Sequence, residues 1–69
     1  MSKNHPPAYY EDVASKAITD KDFVRAIKAL RTAAAVSMGH GRAQRYHEHA
    51  DTIAREQSLS PAQGYLTEE

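Results

Sequence analysis

Three observations predict an all-α fold for this chain. Apolar residues recur at helical spacing, alanine outnumbers leucine, isoleucine, valine and phenylalanine together, and glycine and proline fall only at the edges of the periodic segments. The expected architecture is an antiparallel helical hairpin preceded by a short N-terminal helix, in a single domain spanning residues 1–69. It divides into an arm (1–6), a short helix (7–18), two longer helices (20–38 and 42–58) and a C-terminal tail (59–69).

The first helix starts at Pro7, whose fixed φ suits a first helical position and whose missing N–H would be unpaired there anyway. The same prolines spell Pro6-Pro7-Ala8-Tyr9, a P-P-x-Y ligand pattern of the kind WW-type domains read. Such a ligand must stay extended, whereas Tyr10, Ala14, Ala17 and Ile18 form a helical stripe directly after it, so a helix start is the expected reading. Tyr9 and Tyr10 fit two roles, core packing or a contact surface, because tyrosine offers a rigid face with a polar tip.

Thr19 and Asp22 resemble a capping box for a helix over 20–38. Gly39-His40-Gly41 is expected to end it, with glycine in the left-handed conformation that closes a helix. A third helix follows over 42–58, until Ser60-Pro61 breaks the pattern. Only Tyr65 and Leu66 are available to anchor the tail.

The faces indicate what meets what. Phe23, Ile27, Leu30, Ala34 and Met38 line one stripe of the second helix, widened by Ala26, Ala29, Ala33 and Val36 on one side and by Val24 on the other. Lys21, Arg25, Lys28 and Thr32 are left as its polar face. A helix apolar over so much of its circumference meets more than one neighbour. The third helix carries the narrower stripe Ala43, Tyr46, Ala50, Ile53 and Ala54, enough for one partner helix.

A chain of 69 residues buries only about 60% of its unfolded surface, and an alanine-rich core contributes little area per residue. Help from a second copy is therefore expected, as a homodimeric helical bundle whose core and dimer contacts use Phe23, Ile27, Leu30, Ala34, Met38, Ala50 and Ile53. The absence of cysteine excludes a disulfide framework and a thiolate metal site and suits a reducing compartment. With no signal peptide and no membrane-length apolar run, the expected location is cytoplasmic.

His40, His47, His49 and Asp51 invite a metal reading, but His47 and His49 point to different sides of a helix. His47 and Asp51, at i and i+4, supply only two ligands, so no metal and no cofactor is expected. The sequence shows no nucleophile elbow, no phosphate-cradling glycine loop and no enclosed carboxylate pair, and so predicts no enzyme. Arg42 and Arg45 stand in the first turn of the third helix, where cations oppose the macrodipole, which suggests use. With Arg31 and Tyr46 they form a candidate partner-binding patch, to which Tyr9 and Tyr10 are added.

The leading function is a non-enzymatic protein-binding inhibitor. An alternative is a helical-hairpin dimer that binds RNA or DNA through a ridge of Lys21, Arg25 and Lys28; the zero net charge argues against it. A small assembly or scaffolding protein is a third possibility.

The cysteine-free, net-neutral chain with "TDKDFVRAIKALRTAAAVSMGHGR" at its centre resembles the small early proteins by which temperate phages disable host regulators, the quorum-sensing anti-activators of Pseudomonas phages in particular. The resemblance lies in size and helical plan and carries over no residue roles. It implies a dimer in the host cytoplasm that binds a LuxR-type transcription activator and keeps it from DNA. A second implied host target is the type IV pilus assembly ATPase.

Overall fold

The computed structural model describes residues 5–60 and 64–66; the expectations for residues 1–4, 61–63 and 67–69, the break at Pro61 among them, lie outside this range. The described chain is all-helical: α1 Pro7–Thr19, α2 Phe23–Val36 and α3 His40–Glu56. α2 packs against both α1 and α3.

α1 begins as the prolines dictate. Pro6 is extended, Pro7 opens the helix, and the Tyr9 N–H donates to the Pro6 carbonyl at 3.0 Å. The Pro6-Pro7-Ala8-Tyr9 sequence is thus folded into a helical turn and does not present an extended ligand. Thr19 closes α1 and does not cap α2: its Oγ1 donates to the Ser15 carbonyl at 3.1 Å. The residue beyond the helix that turns left-handed is Lys21, at φ 62°, with the Lys21 N–H on the Ile18 carbonyl and the Asp22 N–H on the Ala17 carbonyl. This pair of bonds is a Schellman closure, built without glycine.

Asp22 then does a second job. Its carboxylate accepts from the Arg25 N–H at 3.3 Å and caps α2, so α2 begins at Phe23 and not at residue 20. Lys21 therefore lies off the helix and cannot belong to a continuous ridge with Arg25 and Lys28. α2 ends at Val36, two residues before the expected end, because Ser37 is extended. Met38, expected in the core stripe, is consequently 100% exposed on the Ser37–Gly39 connection.

Gly39 does not end α2 in a left-handed turn. It is extended, at φ −113°, and is the N-cap of α3; its carbonyl accepts from the Ala43 N–H at 3.0 Å. His40 and Gly41 form the first turn of α3, which starts two residues earlier than expected and ends two earlier, at Glu56. The left-handed residue that closes α3 is Ser58, at φ 57°, again with Schellman bonds: the Ser58 N–H on the Arg55 carbonyl and the Leu59 N–H on the Ala54 carbonyl.

The core runs through all three helices. Tyr10, Ala14 and Ala17 of α1 and Tyr46, Ala50, Ile53 and Ala54 of α3 close on Ala26, Ile27, Ala29, Leu30, Ala33 and Ala34 of α2, with Phe23, Ala43 and Val36 partly buried around them. Alanines at 26, 29 and 33 have no exposed surface, so small side chains are what allow two helices to sit close to α2. Thr32 departs from the expected polar face: it is buried beneath the tail. Its Oγ1 donates to the Lys28 carbonyl and accepts from the Leu66 N–H, both at 2.8 Å, and Leu66 packs on the core.

Candidate functional site

The six residues singled out as a partner patch divide into two groups. Arg31, Tyr10 and Tyr46 face inward; Tyr9, Arg42 and Arg45 face solvent.

Arg31 is held in place by α3. One guanidinium nitrogen meets His47 Nδ1 at 2.8 Å and the other donates to the Asp51 carboxylate at 2.6 Å. Guanidinium only donates, so His47 Nδ1 is the acceptor and the ring hydrogen belongs on Nε2. The i,i+4 pair of His47 and Asp51 is thus filled by an arginine from the neighbouring helix, and no cluster of three metal-ligating side chains occurs among the described residues. The Arg31 side chain is 15% exposed and that of Asp51 50%, so this is a half-buried tie between α2 and α3, not an open contact residue.

Tyr46 plays the corresponding part between α3 and α1: its hydroxyl donates to the Glu11 carboxylate. Burial raises the Tyr46 phenol above its ordinary pKa; the hydrogen bond and negative charge of Glu11 push the same way, while Arg42 opposes. A shallow groove of about 200 Å³ runs beside this bond, lined by Ala14, Ile18, Leu30, Tyr46 and His49. Every buried side-chain nitrogen or oxygen among the described residues has a hydrogen-bond partner.

Because Glu11 lies in the first half of α1 and Tyr46 in the first half of α3, the N-terminal halves of both helices lie on the same side of the molecule. There Tyr10 is buried, while Tyr9, 38% exposed, stacks under His5 at 3.9 Å between ring centroids and meets Tyr10 edge-on at 5.1 Å. Sequence reasoning left the two tyrosines undivided; helix phase separates them by about 100°.

What sequence reasoning missed is Met38. The connection Ser37–Gly39 leaves its side chain wholly in solvent, and exposed His40, Arg42 and Arg45 follow it in sequence. The signal present in the sequence was the low helix propensity of Ser37 and Gly39 on either side. The chain also carries no acidic residue between Asp22 and Glu48.

No helix among the described residues is long and apolar enough to cross a membrane. No protein-family model, curated protein or solved structure matches this chain.

Proposed function

We propose that the chain is a non-enzymatic protein-binding inhibitor that works as a homodimeric helical bundle, α2 and α3 forming its antiparallel hairpin, in the cytoplasm of a host bacterium. The observation that carries this reading is where the large apolar side chains lie. In a chain with an alanine-dominated core, Tyr9, Val24, Met38 and Tyr65 are exposed, Tyr65 by 61% and Met38 completely. Side chains with chemical capacity, Arg31, His47, Asp51, Tyr46 and Glu11, are used to tie helices together.

A surface of this kind binds by shape and apolar contact, and a small protein that binds a larger one inhibits it by occupying a surface the larger one needs. The resemblance to phage anti-activators supplies the target class: a LuxR-type transcription activator, with the type IV pilus assembly ATPase as the second candidate. The test is retention of a stoichiometric protein from bacterial lysate on the tagged chain, after nuclease treatment, together with sedimentation of the purified chain. Retention that disappears on nuclease digestion rejects protein binding in favour of the nucleic-acid alternative. A monomer at all concentrations rejects the dimer.

A further inference from the structure

The turn end of the molecule combines features that folding alone does not explain. Met38 stands fully exposed on a three-residue connection between two helices. One exposed apolar residue is ordinary on any protein surface. Here, however, it is followed at once by Arg42 in the first turn of α3 and Arg45 in the next, both exposed and neither in an ion pair or hydrogen bond among the described residues. Arg42, in the first turn, opposes the helix dipole, and α3 has no side-chain cap or first-turn acid to offset it. No acid lies between Asp22 and Glu48, and Glu48 is engaged by Gln44 at 3.1 Å.

We propose that this turn end is the surface that docks on the partner, with Met38 entering an apolar pocket and Arg42 and Arg45 meeting acidic residues at the pocket's rim. The proposal rests on the protein-binding reading above and names the face that carries it. Charge complementarity sets the partner's chemistry: exposed arginines that form no ion pair among the described residues call for carboxylates. Methionine at the tip sets the rest, because its flexible thioether side chain adapts to an irregular apolar pocket. Met and Arg are also the residue types enriched at protein interfaces, whereas lysine is depleted there, and no lysine lies beyond Lys28 in this part of the chain. A nucleic-acid surface fits less well. Phosphate tracking needs a row of cations, while here an apolar side chain occupies the most prominent position and Lys21 stands off α2.

The test compares the wild-type chain with Met38→Ser, with the double variant Arg42→Glu/Arg45→Glu, and with Val24→Ser as a control on an exposed apolar residue of α2 that the proposal does not use. Each is immobilised, exposed to nuclease-treated bacterial lysate, and the retained protein quantified at low and raised salt. The expected result is at least a tenfold loss of retention for Met38→Ser and for the double charge reversal, none for Val24→Ser, and a salt dependence that the charge-reversed variant no longer shows. Thermal denaturation keeps the result interpretable: a glutamate at position 42 suits the dipole in the first turn of α3 while one at position 45 faces Glu48 one turn on, so the double variant should melt within a few degrees of wild type while binding less. Equal retention by wild type and both turn-end variants overturns the proposal and leaves the protein-binding reading standing. Retention lost only in Val24→Ser also overturns it. A wild-type chain that retains no protein, or retains material lost to nuclease, overturns both.

Discussion

Substituting glycine at Lys21 and Ser58 should stabilise this protein, although neither substitution adds a contact. Both residues have a left-handed backbone, at φ 62° and 57°, and both close a helix through Schellman bonds. An L-residue with a side chain held there costs about 1–2 kcal/mol relative to its preferred conformation. Glycine removes that cost but loses more backbone freedom on folding, about 0.5–1 kcal/mol. The difference leaves a net gain of about 0.5–1 kcal/mol at each site. A chain of this size has a total stability of roughly 3–10 kcal/mol, so the gain is visible, at about 4–8 °C in melting temperature per kcal/mol. The assay is thermal and urea denaturation followed by far-UV circular dichroism, at several protein concentrations so that any dimer equilibrium is separated from folding. The natural glycines give the converse control. Gly39 is extended and Gly41 lies within the first turn of α3, and an added Cβ at either meets nothing within 4 Å. Gly41→Ala should therefore raise stability by about 0.5 kcal/mol and Gly39→Ser by a few tenths, through a new N-cap oxygen. Loss of stability in Lys21→Gly and Ser58→Gly, or a marked loss in Gly39→Ser, would show that the left-handed positions are misassigned and refute the reasoning.

Other expectations follow from the two inter-helix ties and the tail. Arg31→Ala should lower stability by about 1–2 kcal/mol in urea denaturation, a charge-assisted bond discounted for the half-exposed Asp51, and its effect should be non-additive with that of Asp51→Asn. Tyr46→Phe should cost about 1–2 kcal/mol near neutral pH through loss of the Glu11 bond. Because Tyr46 holds its proton more tightly folded than unfolded, its contribution is fully present below about pH 10 and is lost as the pH rises further. A pH series should show that alkaline decline in the wild type and a weaker one in Tyr46→Phe. Thr32→Val should leave the Leu66 N–H without its acceptor, costing about 1 kcal/mol and speeding hydrogen exchange at the Leu66 amide.

Helix number, order and buried stripes were legible because periodicity is a property of many residues at once. The stripe Ala43, Tyr46, Ala50, Ile53 and Ala54 occupies the buried side of α3, and α2 packs against two helices, as its wide apolar arc requires. The boundaries of α2 were less legible because each rests on one residue with two possible roles. Asp22 can be a third helical residue after a Thr19 cap or the cap itself; the backbone path of the preceding Schellman turn decides for the cap. Gly39 can close one helix or open the next, and its extended neighbour Ser37 decides for opening. A shift of two residues at the end of α2 then moves Met38 from core to tip.

The candidate site was less legible still, for a different reason. Arg31, His47 and Asp51 lie 16 and 20 residues apart in sequence, and only the packing of α2 on α3 reveals that they satisfy one another. A residue's type and helix phase can show that it flanks an apolar stripe, but not whether a partner waits across it. Arg31 and Arg45 look equivalent by that criterion, yet one is tied and the other is not.

The local rules that this chain breaks separate into two kinds. Lys21 and Ser58 occupy conformations better suited to glycine, but their closures are complete and nothing at them points outward for a purpose. They are the unoptimised positions that a marginally stable protein tolerates. Met38, Gly41 and Arg42 fall within one turn and the start of one helix: an apolar side chain in water, a glycine inside a helix, and a cation against a dipole. Independent neutral drift would scatter such conflicts along the chain, whereas a binding surface concentrates them where the fold gives way to recognition. The two explanations part on one comparison. If the turn-end conflicts are merely unoptimised, replacing Arg42 and Arg45 by glutamate leaves binding unchanged; if they serve recognition, the same variant folds about as well as wild type and binds less.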